Sequence, residues 1–286
     1  MKIQNVPRNI PRYVRRFYYY RQNSAPFLSG DLFADSADVQ LYPPRFRTKQ
    51  ATRKVVSRAD VIFCPSHFYE RMLEEYSGVI NAKVLILGNS DRDFEFLDTQ
   101  LLPRTVKQVF VQNLSTFDPR TSVLPIGIEN TRLGTNGNIK YFRDELVENS
   151  KLNRVLVGPF SMTHVEREFY SDAGIDDSDL LEVLRGRVNP EIYAGIASGY
   201  KFIAAPRGNG LDTHRFWEAL YRGSFPVVLK NSWSKLIQDL GVPLVEIESW
   251  TVEGFRKLPS NQEQFNPGAI NALWWPYWQN QIKSYL

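Results

Sequence analysis

One cysteine, Cys64, and three histidines stand among 286 residues. A lone cysteine forms no internal disulfide and excludes a cysteine-rich zinc site, and three histidines leave little material for a histidine cluster. That scarcity fits a reducing compartment. Long apolar runs are missing as well, none approaching the roughly 20 residues of a membrane span. The opening MKIQNVPRNIPRYVRRFYYYRQ is basic but lacks the apolar core and small-residue cleavage site of a secretory signal. The expectation is a cytoplasmic chain. No repeat of 20 to 50 residues and no low-complexity tract is present.

What remains is ordinary globular material, 43% hydrophobic and 23% charged, with length enough for two modest domains. A net charge of +4 favours an anionic partner: a phosphate ester, a nucleic acid or an acidic lipid surface. Arg12, Arg15, Arg16 and Arg21 interleave with Tyr13, Phe17, Tyr18, Tyr19 and Tyr20. This stretch reads first as an amphipathic helix with its tyrosines on the core, and second as a peripheral membrane contact. Nucleic acid is not the expected partner.

Apolar runs at 60–64, 83–88, 108–113 and 123–127 do not alternate, as expected for parallel strands covered on both faces. After the first, PSHFYERMLEEYS starts with a proline and a serine cap, then sets Phe68, Met72 and Tyr76 at helical spacing. Residues 130–153 are rich in glycine, asparagine and charge. The pattern then restarts, with strands expected at 154–160, 200–205, 226–230 and 244–249 and a helix from His164 through Tyr170. The expected layout is a first α/β domain over 1–135, a linker over 136–153 and a second α/β domain over 154–286. The tail AINALWWPYWQNQIKSYL is expected to be a helix interrupted at Pro276 that packs across both domains.

The stretch APRGNGLDTHRFWEALYRGSFPVV, 205–228, sets a glycine turn at the carboxyl end of a strand and just before a helix. Open parallel sheets bind ligands there. Gly208 and Gly210 permit close backbone approach, and the helix start near Asp212 and Thr213 presents unpaired N–H groups and a positive dipole end, a place for phosphate. Phe216, Ala219, Leu220 and Gly223 form a sheet-facing stripe. Arg215, Glu218 and Arg222 share another face, where Arg215 can reach a phosphate and Glu218 can accept two ribose hydroxyls. Phosphate plus ribose indicates a nucleotide. The turn has neither a Walker lysine nor the G-x-G-x-x-G spacing, so it indicates neither an ATPase nor a dehydrogenase.

The run from Tyr200 to Trp250 resembles the donor-binding region of exostosin-type glycosyltransferases, with their P-R-G-x-G-x-D-x-x-R-x-W-E-A-L-x-x-G-x-x-P-V-V pattern. LSGDLFA, LILGNSDRDF, VQNL and LPIGIEN resemble further pieces of bacterial and viral members of that group. The resemblance implies a GT-B architecture: two Rossmann-like domains facing across a cleft, with the nucleotide sugar in the second. It implies that Arg207, Gly208, Gly210, Asp212, Thr213 and Arg215 surround a diphosphate and that Glu218 holds the ribose. His214, within the same motif, ranks behind these residues as a candidate. Thr163 and Arg167, at the exit of the second domain's first strand, would add a phosphate contact. The implied activity is transfer of a sugar from a nucleotide sugar, UDP-linked by preference, to a glycan hydroxyl, inverting and without a metal or other cofactor.

Inverting transfer needs a base for the acceptor hydroxyl. Asp31, Asp91, Asp93 and Glu129 follow apolar runs or glycine turns in the first half; Asp91 ranks first and Asp31 second. Three other readings stay open. The same strand, loop and helix also resemble those of α1,3-fucosyltransferases, which use GDP-fucose. Asp91-Arg92-Asp93 is an Asp-x-Asp of the kind with which GT-A enzymes hold a divalent ion. Finally, the protein could bind an anionic ligand without catalysis.

Overall fold

Strands without alternation should have no face in water, and the strands from Val61 to Pro65, Val84 to Gly88 and Gln108 to Val111 are buried at every position. A computed structural model describes residues 23–42, 51–95, 97, 99–142, 150–171, 175, 177, 179–259 and 261–286. In it β1 (Val39–Gln40), β2 (Val61–Pro65), β3 (Val84–Gly88), β4 (Gln108–Val111) and β5 (Thr121–Val123) lie side by side in chain order, all parallel. With them belong α1 (Gly30–Asp35), α2 (Arg53–Val56) and α3 (Tyr69–Tyr76).

Phe68, Met72 and Tyr76 are buried, as their spacing requires. The start of α3 differs from the expectation: a 3-10 turn over Ser66–Phe68 precedes it, and the Ser66 hydroxyl is buried without a partner instead of capping. The expected strand over 123–127 contributes only Val123 to β5. Pro125 has no N–H for a ladder, and Gly127 turns the chain at φ +66°.

The second sheet is also parallel, in the order β10-β9-β8-β6-β7. Its strands are β6 (Leu152–Val157), β7 (Leu181–Val183), β8 (Tyr200–Ala204), β9 (Phe225–Leu229) and β10 (Val245–Ile247). Around them run α4 (Pro190–Ser198), α5 (His214–Tyr221), α6 (Ser232–Asp239), α7 (Val252–Arg256) and α8 (Trp275–Lys283). The segment after His164 is a 3-10 helix, Val165–Tyr170. From β6 the chain steps outward to β7, while β8, β9 and β10 build the opposite side. The strand order therefore reverses between β6 and β8, which opens a crevice at their carboxyl ends.

Pro276 does not interrupt the last helix. It sits in the first turn of α8, where its missing N–H costs nothing. One apolar cluster joins the two sheets: Phe33, Phe63 and Phe110 of the first half meet Phe216, Trp217 and Leu220 of α5, and Trp278 and Ile282 of α8. Trp278 meets Phe33 and Phe110 edge-on. The Tyr221 hydroxyl, buried in this cluster, accepts the Leu28 N–H at 3.0 Å and donates to the Leu273 carbonyl at 2.8 Å. Lys83 and Lys107 of the first half donate to the carbonyls of Leu286 and Tyr285 at the end of the chain.

No helix among the described residues is long and apolar enough to cross a membrane. The arginine and tyrosine stretch over 12–21, which carries the expectation of membrane contact, lies outside the described residues.

Candidate functional site between the two sheets

The chain leaves β8 at Ala204 and enters α5 at His214, with Thr213 as an extended N-cap whose side chain makes no capping bond. A cavity of about 870 Å³ opens at this point, in the size range of small-molecule and cofactor sites. Carboxyl ends of both sheets supply its walls. Phe160 follows β6, Arg187 follows β7 and Gly208 follows β8, while Asp91 follows β3 and Ile126 and Asn136 follow β5.

Cations dominate the wall on the side of the second sheet. Arg215, in the first turn of α5, donates to the carbonyls of Gly158 at 3.1 Å and Pro159 at 3.4 Å, and its guanidinium lies 4.3 Å from the centre of the Tyr193 ring. Its Nε is 3.7 Å from the Glu218 carboxylate. Arg222, two turns along α5 and buried, donates to the Glu218 carbonyl at 2.6 Å and stacks 4.5 Å from the Phe142 ring centre. Arg167 donates to the Thr163 hydroxyl at 3.0 Å, the Ser161 carbonyl at 2.8 Å and the Arg207 carbonyl at 2.9 Å. Burial, reinforced by the Arg215 charge, lowers the pKa of Arg167 from its ordinary value; burial does the same at Arg222, against the pull of Glu218.

Four buried polar groups on these walls have no hydrogen-bond partner: Arg215 Nε, Arg222 Nε, the Tyr193 hydroxyl and Thr213 Oγ1. Buried donors are ordinarily paired, and these four unpaired groups belong to residues that line one cavity. Among the described residues Glu218 lies beside Arg215 and acts on Arg222, and Glu166 acts on Arg167, so three guanidiniums share two carboxylates and the wall is cationic.

Thr163, Arg167, Gly208, Gly210, Asp212, Thr213, Arg215 and Glu218 therefore come together around one space. Both glycines are there for room. A Cβ at Gly208 would press the Arg167 guanidinium at 2.9 Å, and one at Gly210 would press the Asn113 side-chain amide at 2.7 to 3.0 Å. Arg207 and Asp212 act differently from what the resemblance implies, because their charged groups are turned toward the first half. Arg207 Nη2 lies 2.5 Å from Asp93 Oδ2. The Asp212 carboxylate accepts the Ile126 N–H and the Trp217 indole N–H, both at 2.7 Å, while its backbone N–H donates to Asn113 Oδ1 at 2.8 Å. Burial pushes the Asp212 carboxyl up to about 7, against the N–H donors of Ile126, Trp217 and Thr213 that hold it down.

The two carboxylates expected to act as bases part company. Asp91 lines the cavity and accepts from Asn209 Nδ2 at 3.2 Å. Asp31 is not among the lining residues: Arg132 Nε lies 2.6 Å from its carboxylate, whose pKa burial raises while Arg132 opposes the rise. Asp91 and Asp93 also diverge. Asp93 accepts from Arg207 and from the Leu211 N–H at 3.1 Å, so the Asp-x-Asp does not present a free pair. Among the described residues no group of three or more histidine, cysteine or acidic side chains is arranged to hold a metal.

Tyr193, Arg222 and Asn113 were not among the sequence candidates. Arg222 carried a signal, its place on one helix face with Arg215 and Glu218. Tyr193 carried none, because an aromatic on an apolar helix reads as core. No family model matches the chain, and no curated protein matches its sequence.

Proposed function

We propose that the protein is a glycosyltransferase of the GT-B type, taking a sugar from a nucleotide sugar, UDP-linked by preference, to a glycan hydroxyl. The observation that carries this reading is the cavity at the facing carboxyl ends of two parallel sheets, with unpaired arginine and threonine donors gathered at the start of α5. Arg215, Arg167 and the N–H groups at the start of α5 would meet the diphosphate, and Glu218, one turn deeper, would take the ribose hydroxyls. Arg222 and the Tyr193 hydroxyl extend the donor set beyond the sequence candidates. Charge growing on the departing diphosphate then meets groups fixed before the reaction begins, and transition-state charge is stabilised best that way. Two groups on the walls, Asp91 and His214, are placed to take the proton of an acceptor hydroxyl.

Thermal unfolding with UDP, GDP and their sugar conjugates, each in EDTA or manganese, tests the reading. Ligand at 100 times its Kd adds about 2.7 kcal/mol of stability. A rise with UDP in EDTA that disappears in Arg215→Ala is the expected result. A rise with GDP alone moves the donor to GDP-fucose. A requirement for manganese would overturn metal independence, and no rise with any nucleotide would leave an anion-binding protein without this activity.

A further inference from the structure

His214 is the first residue of α5 and lines the cavity. Its Nδ1 lies 2.8 Å from the Gly127 carbonyl oxygen. A carbonyl only accepts, so Nδ1 carries the hydrogen and Nε2, on the other edge of a neutral ring, keeps a lone pair. The anchor belongs to the first half and is held firmly: Gly127 pairs with Ser29, the adjacent Ile128 N–H donates to the Leu28 carbonyl at 2.8 Å, and Gly127 has φ +66°. His164 is the opposite case, since its Nδ1 accepts the Glu166 N–H at 3.1 Å and its hydrogen must sit on Nε2.

The carboxylates on the walls are otherwise engaged: Asp91 is exposed and accepts the Asn209 amide, Asp212 accepts the Ile126 N–H and the Trp217 indole N–H, and Glu218 lies 3.7 Å from Arg215 Nε. A hydrated carboxylate is a weak base, whereas imidazole is the side chain that exchanges protons near neutral pH.

We propose that His214 Nε2 is the general base of the transfer, fixed in its basic tautomer by the Gly127 carbonyl of the facing half. The proposal rests on the glycosyltransfer reading. As the acceptor oxygen forms its bond to the anomeric carbon, its proton passes to Nε2. The bond from that carbon to the diphosphate oxygen breaks, its electron pair leaving on the diphosphate, and the imidazolium later returns its proton to water. Because ring and carbonyl come from different halves, the base is set only while the two are docked as here.

Long-range proton–nitrogen spectra of the ¹⁵N-labelled full chain test the tautomer, with three histidines in all and His214→Asn to identify the signals. Asparagine can still donate to Gly127 but has nothing in place of Nε2. The expected neutral His214 has a bare Nε2, opposite to His164; an Nε2–H tautomer would overturn the proposal. The second arm measures nucleotide release from UDP- and GDP-sugars in water and with a mixed glycan acceptor. His214→Asn should keep the nucleotide-induced thermal shift and the donor KM and lose roughly 10² to 10⁴-fold in kcat. Turnover in His214→Asn within threefold of wild type, or lower than in Asp91→Asn by less than tenfold, would overturn the assignment while leaving the nucleotide site intact. A wild type with neither a nucleotide shift nor release would remove the glycosyltransfer reading and this proposal together.

Discussion

Asp212 is a buried carboxylate, held between a backbone N–H of the first half and an indole N–H of its own helix. Its pKa rises from 3.8 to about 7 because burial outweighs those bonds. The folded state therefore holds the proton more tightly than the unfolded chain. The resulting stability is full below about 4 and is lost as pH climbs through about 7. We expect the urea midpoint to fall between pH 5 and pH 7.5 and Asp212→Asn to flatten that slope. Arg215 and Glu218 were legible as site residues because their spacing puts them on one face at the start of a helix. The work of Asp212 was not legible, since its partners Ile126 and Asn113 lie 86 and 99 residues away in sequence.

The turn from β8 to α5 serves two partners at once. Its glycines make room for Arg167 and the Asn113 amide, and Arg207, Asn209, Leu211, Asp212 and His214 all bond to the first half. Gly210→Ala must push Asn113 aside and leave the Asp212 N–H without its acceptor, a loss of about 1–3 kcal/mol measurable by urea unfolding. Gly195 gives the contrast. It lies within α4 with nothing near a would-be Cβ, so Gly195→Ala should stabilise by about 0.5–1 kcal/mol. Strand positions were readable because runs without alternation admit little else. Where the strand over 123–127 ends was misjudged, because apolarity continues past the residues where Pro125 and Gly127 end the ladder.

Across the whole molecule, α8 and α5 share one core with the first sheet, while each half also keeps a core of its own. Trp278 is 1% exposed and central to that core. Trp278→Ala is expected to cost roughly 3–5 kcal/mol, and probes in both halves should unfold in the same, earlier transition. Separate transitions in wild type would show that the shared core does not couple them.

By itself the sequence determined two parallel α/β units, a glycine turn between β8 and α5, and a cationic helix face. These are written in local period and composition, which act over a few residues. Which charges face a ligand was decided only by tertiary structure. Arg207 and Asp212 are as polar as Arg215 and Glu218, and only the facing sheet, contributed by distant residues, separates the pair that bonds across the halves from the pair left along the cavity wall.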